Sequence, residues 1–108
     1  MLDSTTDFGR RVTRRLTEEH IIWLTTVGAD GTPQPRPVWF LWDGETFLIY
    51  SKPDTHKLNH IVRCPRIALH LDGDGRGKDI AVFAAEARLD PDVPPANEMQ
   101  EYAEKYQQ

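Results

Sequence analysis

The most constraining feature of this sequence is a run in which prolines alternate with other residues, Pro33-Gln-Pro-Arg-Pro37. Proline has no backbone N–H to donate to a β-ladder, so a strand that contains three of them must start as a sheet edge or a twisted segment. The aromatic run WFLW follows at once, and the pair Asp43-Gly44 separates it from a second apolar run, ETFLIYS. Two apolar runs around Asp-Gly predict a β-hairpin.

Helical and strand-like patterns divide the rest of the chain. Phe8, Val12 and Leu16 recur at helical spacing, which predicts a first helix over residues 6–18. The runs IIWLTTV, CPRIALHLD and DIAVFAAEARL predict three further strands, and HKLNHIVR predicts a short helix. A proline-rich turn and a polar helix over residues 96–107 end the chain. One side of that helix carries Met99, Tyr102, Ala103 and Tyr106.

The predicted order is a helix, three strands in a meander, a short helix, two strands and a helix. A mostly antiparallel sheet of this size tends to curl into a barrel because closure removes its unpaired edges. We therefore expect an α+β or mainly β fold, a small β-barrel with short flanking helices. A chain of 108 residues forms one domain, residues 1–108, with a small core, and such a domain often relies on a partner subunit.

Composition narrows the classes of function. The formal net charge of -4 does not indicate a nucleic-acid-binding protein, and no apolar run approaches the roughly 18 residues of a membrane span. The lone Cys64 cannot form an internal disulfide, and the opening MLDSTTDFGRR lacks the apolar region of a secretory signal. We expect a cytoplasmic protein that binds neither nucleic acid nor membranes.

Metal and nucleophilic sites are poorly supported by the sequence. His56 and His60 have the spacing of a zinc pair, but Lys57 stands where a zinc protease needs its glutamate base. Cys64 lies in an apolar neighbourhood without a base beside it in sequence, so we interpret it as a core residue. We expect no metal ligands and no catalytic side chain.

The junction YSKPDTHKLNHI has the features of a phosphate site. A helix N-terminus presents unpaired N–H groups and a partial positive charge, so a phosphate is stabilised there. Thr55 is the expected cap, and Lys57 in the first turn opposes the helix dipole unless an anion binds. Ser51 and Lys52 end the preceding strand, and the predicted meander brings Arg36 across from Ser51. The alternative is a capped surface helix with solvated lysines.

Two further groups of residues allow a structural and a binding interpretation. Trp39, Phe40 and Trp42 form a core or dimer interface, or a strand along which a planar ring lies. The first helix carries four arginines that form a solvated face or meet an anionic ligand: Arg10, Arg11, Arg14 and Arg15.

The stretch PRPVWFLWDGETFLIYSKPDTHKLNHIVRCPRIALHL resembles the split-barrel flavin-binding superfamily of pyridoxamine 5'-phosphate oxidase. It is more similar to the actinobacterial branch that depends on the deazaflavin coenzyme F420, and the similarity covers roughly residues 8–106. The resemblance implies a mostly antiparallel split β-barrel and a homodimer with cofactor sites at the interface. It also implies an oxidoreductase that transfers hydride from the deazaflavin to an unsaturated small organic substrate.

The resemblance, together with Lys52 at the junction, implies a set of cofactor-binding residues. These are Arg36, Val38, Trp39, Tyr50, Ser51, Lys52, Thr55, His56, Lys57 and Asp79. By this likeness Thr55, His56 and Lys57 grip the phosphate, and Asp79 of the second subunit faces the ring. His60, one turn further along the helix, is expected to face away from the phosphate.

The sequence departs from the family pattern in two places. His56 replaces the arginine usual in the oxidase branch, which implies a weaker or pH-dependent phosphate grip. Close relatives continue into one more strand after the last helix, so either a final strand is missing here or the barrel closes differently. Two other functions stay open: an FMN-dependent oxidase or reductase of the pyridoxamine 5'-phosphate oxidase type, and a non-catalytic protein that binds the cofactor or another anionic ring.

Overall fold

A computed structural model describes residues 5–51, 56–73, 76, 80–90 and 99–106, with only the backbone at His56 and Ala103. The chain forms two compact units, each built from separate stretches of sequence. The first unit comprises Met1–His20, Trp39–Tyr50 and Pro94–Gln108, and the second comprises Ile21–Val38 and Ser51–Val93.

The described helices and strands are, in chain order, α1 (Asp7–Glu18), β1 (Ile21–Val27), β2 (Pro33–Trp39), β3 (Leu41–Trp42), β4 (Phe47–Leu48), α2 (His56–Arg63), β5 (Arg66–His70), β6 (Val82–Glu86) and α3 (Gln100–Tyr106). This is the predicted order, except that the predicted second strand, PQPRPVWFLW, is divided at Phe40 into β2 and β3. Two predicted strands are shorter than expected, because ETFLIYS contributes only β4 and DIAVFAAEARL only β6. The C-terminal helix begins at Gln100 rather than at residue 96, with Met99 outside it.

The second unit is built on a four-stranded sheet in the order β2-β1-β5-β6. β1 is antiparallel to β5, and β5 is antiparallel to β6. Along β1 every second side chain is buried, at Ile22, Leu24 and Thr26, as expected when one face of a strand meets the core. Leu69 of β5 is also buried. The alternation visible in IIWLTTV therefore marks the core face of this sheet.

A tight turn joins β1 to β2. The Gly28 N–H donates to the Thr32 carbonyl over 2.9 Å, and the Gly31 N–H donates to the Gly28 carbonyl over 3.0 Å. Gly31 has a φ of 84°, a conformation that favours glycine. The Asp30 carboxylate accepts from the Thr32 N–H, and this hydrogen bond lowers the pKa of Asp30. Local turn chemistry thus fixes β2 as the neighbour of β1.

The predicted hairpin around Asp43-Gly44 is confirmed. β3 and β4 pair antiparallel, with Leu41 opposite Leu48, and Gly44 has a φ of 100°. The Asp43 carboxylate accepts hydrogen bonds from the Thr46 and Glu45 N–H groups, and these bonds lower the pKa of Asp43. The turn is held by its own side chain.

The predicted three-stranded meander is wrong for the described residues. β2 is an edge of the four-stranded sheet, while β3 and β4 form a separate two-stranded sheet. Strand pairing therefore does not bring Arg36 across from Ser51. The predicted second strand is divided at Phe40, so that its first part, β2, lies beside β1 and its second part, β3, pairs with β4 in a different sheet.

The first unit holds α1, the β3–β4 hairpin and α3. The Thr6 hydroxyl caps α1 by accepting from the Gly9 N–H over 2.9 Å, and Val12 and Leu16 are buried at helical spacing. Phe40, which precedes β3, is fully buried, and so is most of Tyr102 on α3. The helical stripes in the sequence supply this core.

The architecture is α+β with antiparallel sheets and short helices, which confirms the predicted fold class. No helix in the described ranges is both long and apolar enough to cross a membrane.

Candidate cofactor site

The first turn of α2 is positively charged. α2 begins at His56, Lys57 is its second residue, and the turn contains no acidic residue. The Lys57 side chain is half-buried. The first N–H groups of a helix also carry partial positive charge. Within the described residues, no acidic side chain of this turn balances that charge, so a bound anion would be stabilised here. This agrees with the phosphate role predicted for the junction.

Several predicted site residues lie outside the described residues. These are Lys52, Thr55 and Asp79, together with the side chain of His56. Their roles stay predictions.

Tyr50 and Ser51 link the hairpin to α2, and both are half-buried. The Tyr50 ring meets the Tyr102 ring edge-on, with 4.9 Å between centroids and an interplanar angle of 77°. Burial raises the pKa of both phenols, and the neighbouring Tyr50 adds to the rise in the pKa of Tyr102. Both phenols are therefore neutral at physiological pH and can donate a hydrogen bond.

Arg36 and Val38 lie on β2 but differ in exposure. The Arg36 side chain is exposed and folds back on its own strand, where Nη1 donates to the Pro35 carbonyl over 2.8 Å. No carboxylate is bonded to this guanidinium among the described residues. Val38 is buried, so its side chain belongs to the core and only its backbone could face a ligand.

The Trp39 side chain is largely apolar, yet 52% of the residue's surface area is accessible to solvent. Its ring stacks on Tyr106 of α3, with 4.3 Å between centroids and an interplanar angle of 4°. The indole is therefore oriented by a second aromatic ring while much of it stays open. An oriented, accessible aromatic ring is suited to contact a planar ligand.

Sequence reasoning missed the residues that hold this segment in place. The Tyr106 hydroxyl accepts from the Phe40 N–H over 2.7 Å, and its own proton is directed towards the carbonyls of His20 at 2.7 Å and Phe40 at 2.9 Å. Lys105 Nζ donates to the same Phe40 carbonyl over 2.8 Å and lies 3.5 Å from the centroid of the Phe40 ring. The sequence pattern placed Tyr106 on the apolar side of the last helix, but nothing except its charge distinguished Lys105.

Burial changes the acidity of both groups. It lowers the pKa of Lys105 to about 8 and raises the pKa of Tyr106 to about 12, although the Phe40 hydrogen bond acts in the opposite direction on Tyr106. The charged form of each side chain is disfavoured by the loss of water around it.

Of the two histidines of α2, only His60 has a described side chain. His60 Nδ1 lies 3.0 Å from the hydroxyl of buried Thr26 on β1, so His60 faces the sheet. No group of three or more metal-ligating side chains is assembled within the described ranges. Cys64 is half-buried directly after α2, and its N–H donates to the His60 carbonyl over 2.7 Å.

The arginines of α1 are partly engaged with near neighbours. Arg10 pairs with Asp7, Arg15 pairs with Glu19, and the Arg11 guanidinium lies 6.0 Å from the Phe8 ring. Arg14 is exposed. These contacts favour a solvated face, and a role towards a cofactor tail stays a prediction.

The sequence was compared with models of protein families, and the model described as pyridoxamine 5'-phosphate oxidase matches residues 8–108. The chain belongs to this family. It is thus a member of a superfamily of flavin-binding oxidoreductases with a split-barrel fold, whose members are commonly dimeric. Both the predicted superfamily and its likeness to an F420 branch are confirmed.

Two solved structures resemble this chain in fold. An F420 reductase is 30% identical, with a TM-score of 0.54, over 58% of this chain and 50% of the reductase. This chain therefore aligns with only half the length of that relative. A pyridoxamine 5'-phosphate oxidase-like protein from Listeria innocua has a TM-score of 0.71 and 24% identity over 92% of this chain and 80% of its own.

A third neighbour has a different function. The haem storage protein HutZ from Vibrio cholerae has a TM-score of 0.64 and 15% identity, over 82% of this chain and 67% of HutZ. At that identity the likeness concerns the fold alone. A comparison with curated proteins finds no significant match.

Two separate features of the described residues each fit part of a flavin-type cofactor. In the second unit, the start of α2 with Lys57 suits a phosphate. In the first unit, the accessible indole of Trp39 suits a planar ring. The buried Val38 side chain does not contribute to such a fit.

Proposed function

We propose that this protein is an oxidoreductase that uses the deazaflavin coenzyme F420 to transfer hydride to an unsaturated small organic substrate. The observation that carries the proposal is the family match over residues 8–108 combined with 30% identity to an F420 reductase. The positive first turn of α2 supports it from the structure, because F420 carries a phosphodiester that such a turn stabilises.

We propose the full predicted set as cofactor contacts: Arg36, Val38, Trp39, Tyr50, Ser51, Lys52, Thr55, His56, Lys57 and Asp79. Within it, Lys57 and the N–H groups at the start of α2 would bind the phosphate by charge-assisted hydrogen bonds. Trp39 would contact the ring, and Arg36 would turn from the Pro35 carbonyl towards negative charge. Val38 would contribute its backbone.

The bound cofactor supplies the chemistry. When held by the proposed contacts, reduced deazaflavin would supply a hydride for an electron-poor carbon of the substrate, and a proton from solvent would complete the two-electron reduction. The protein's own residues then need only bind, orient and exclude water, which agrees with a site that requires no nucleophile.

We also propose that the chain is a single domain that works as a homodimer with cofactor sites at the interface. The common dimeric state of the family supports the dimer. Within the described residues β6 is an edge strand, and strand edges favour pairing with a further strand or a partner.

The deciding experiment is a titration of the purified protein with F420 and with FMN, followed by quenching of tryptophan fluorescence. We expect F420 to bind more tightly than FMN. Lys57→Ala should raise the dissociation constant for F420 roughly tenfold to a hundredfold, the usual effect of losing one hydrogen bond to a charged group.

The matched control is Arg63→Ala, which removes a positive charge from the last turn of the same helix. This variant should bind F420 like the wild type. Equal loss in both variants would mean that net charge, not the first turn of α2, drives binding. Tighter binding of FMN would favour the FMN alternative, and binding without oxidation of reduced F420 by any unsaturated substrate would favour a cofactor-binding protein.

A further inference from the structure

A groove of about 360 Å³ lies in the first unit, where α1, β3 and α3 contribute to its lining. That volume falls within the range of small-molecule sites, roughly 300–1,000 Å³. Its apolar lining comes from Leu16, Leu41 and Trp42, and Lys105 lines it from α3. None of the described residues proposed to contact the cofactor is among its lining residues. The groove is therefore separate from the proposed cofactor contacts.

Lys105 is a half-buried amine without a carboxylate partner. Its Nζ donates to the Phe40 carbonyl over 2.8 Å and lies 3.5 Å from the centroid of the Phe40 ring. No carboxylate of the described residues forms an ion pair with it, although Glu18, Glu101 and Glu104 line the same groove. The cost of burial is thus not offset by a counter-charge, and it lowers the pKa of Lys105 to about 8.

This pKa makes the Lys105 amine available as a nucleophile, because only the uncharged form has a free electron pair. Near pH 7.5, about a quarter of an amine with a pKa of about 8 is uncharged, against about 0.1% of an ordinary lysine. A desolvated lysine beside an apolar groove is the arrangement that forms imines with carbonyl compounds.

We propose that Lys105 is a covalent binding site for small uncharged aldehydes, which enter this groove and form an imine with its amine. The electron pair of Nζ adds to the carbonyl carbon, and the carbonyl oxygen gains the proton that the nitrogen loses. The resulting carbinolamine releases its hydroxyl group as water, with a proton from solvent or from His20, which lines the same groove. One amine and one aldehyde give one imine and one water, so no oxidant or reductant is needed.

The charge of the groove favours aldehydes without a negative group. Its lining contains the carboxylates of Glu18, Glu101 and Glu104, which repel an aldehyde that carries its own carboxylate. An uncharged aromatic aldehyde avoids this repulsion and can pack against the Trp42 ring. We therefore expect the groove to select uncharged aldehydes with an apolar part.

The experiment is reductive trapping with benzaldehyde and cyanoborohydride, followed by peptide mapping in a mass spectrometer. The reductant converts each imine into a stable benzylamine, so every modified lysine is identified by its mass. In the folded protein near pH 7.5, Lys105 should be modified roughly tenfold faster than any other lysine. Its rate should rise with pH around a midpoint of about 8. The preference should disappear in concentrated urea, because unfolding restores water around the amine.

Charge selection is tested with 4-carboxybenzaldehyde, which differs from benzaldehyde by one carboxylate. It should modify Lys105 more slowly than benzaldehyde does. Glu104→Gln should reduce this difference, because it removes one of the carboxylates of the groove. The matched control is Glu45→Gln, which removes the same charge from the exposed β3–β4 turn and should leave the difference unchanged.

Modification of Lys105 no faster than that of the other lysines would overturn the proposal, and so would a preference that persists in urea. Equal effects of Glu104→Gln and Glu45→Gln, or faster modification by 4-carboxybenzaldehyde, would contradict selection by the groove. All reactions are run without F420 or FMN, so their outcome does not depend on the proposed function.

Discussion

The start of α2 and the end of α3 each hold a partly buried lysine, and the two lysines have different surroundings. Lys105 donates to the Phe40 carbonyl and lies over the Phe40 ring. Lys57 lies in a helix turn without acidic residues, and no carboxylate pairs with it in the described part of the chain. The Lys105 ammonium therefore has contacts within the fold, whereas the Lys57 ammonium has no carboxylate partner among the described residues.

This difference separates a lysine with structural contacts from the lysine proposed to bind a phosphate. The contacts of Lys105 with a carbonyl and an aromatic ring offset part of the cost of burying its charge. A charge that opposes its own helix dipole lowers the stability of the helix, which agrees with the proposed role of Lys57 in anion binding. We therefore expect a change beside Lys105 to lower the free energy of unfolding, and removal of the Lys57 charge to raise it slightly.

The largest stability effect should come from Tyr106→Phe. This change keeps the stacking on Trp39 but removes the hydroxyl that accepts from the Phe40 N–H. Leaving a buried N–H unpaired costs about 1–3 kcal/mol. We expect the free energy of unfolding in urea to fall by that amount. A loss below a few tenths of a kcal/mol would show that water replaces the hydroxyl and that this end of α3 is not a structural anchor.

A second effect should appear in the pH dependence of stability. The pKa of Lys105 falls from 10.5 to about 8 on folding, so between these values the unfolded chain binds more protons and stability rises with pH. The pKa of Tyr106 rises from 10.0 to about 12, so stability falls across that window. Urea unfolding at a series of pH values should show a rise above about pH 8 and a fall above about pH 10.

Two variants show which side chain causes each slope in the pH dependence of stability. Lys105→Met should remove the rise, and Tyr106→Phe should remove the fall. A rise that persists in Lys105→Met would show that another group causes it.

The smallest stability effect should come from Lys57→Ala. Removing a positive charge from the first turn of a helix is expected to change the free energy of unfolding by no more than about 1 kcal/mol, in the stabilising direction. Thermal unfolding without cofactor measures this change. Arg63→Ala is the matched control and should be slightly destabilising, because it removes a favourable charge from the last turn. A clear destabilisation by Lys57→Ala would make it a structural residue and remove the contrast with Lys105.

Local patterns predicted most of the elements. The Asp43-Gly44 hairpin, the order of helices and strands and the edge position of the proline-rich strand all follow from residues close in sequence. Turns, caps and missing N–H groups act over a few residues, so their effect can be inferred without the fold. The single three-stranded meander was wrong because the run PQPRPVWFLW is divided at Phe40 between two sheets, and Phe40 is buried against Tyr106 and Lys105, which are distant in sequence.

The candidate site was predictable in part. The basic first turn of α2 was read correctly from the sequence, and His60 faces the sheet as a residue one turn later should. Val38 stays a predicted cofactor contact, and the structure adds that its side chain is buried, which alternation in an aromatic strand does not reveal.

The sequence by itself determined where this chain turns, which strand lies at a sheet edge and where a lysine stands at a helix start, because these depend on short-range chemistry. Only the tertiary structure decided that Tyr106 and Lys105 contact Phe40, which lies 66 and 65 positions earlier in the sequence. It also decided that β5 lies between β1 and β6 in the sheet of the described residues. Long-range contacts of this kind result from packing of the whole chain, and no local pattern records them.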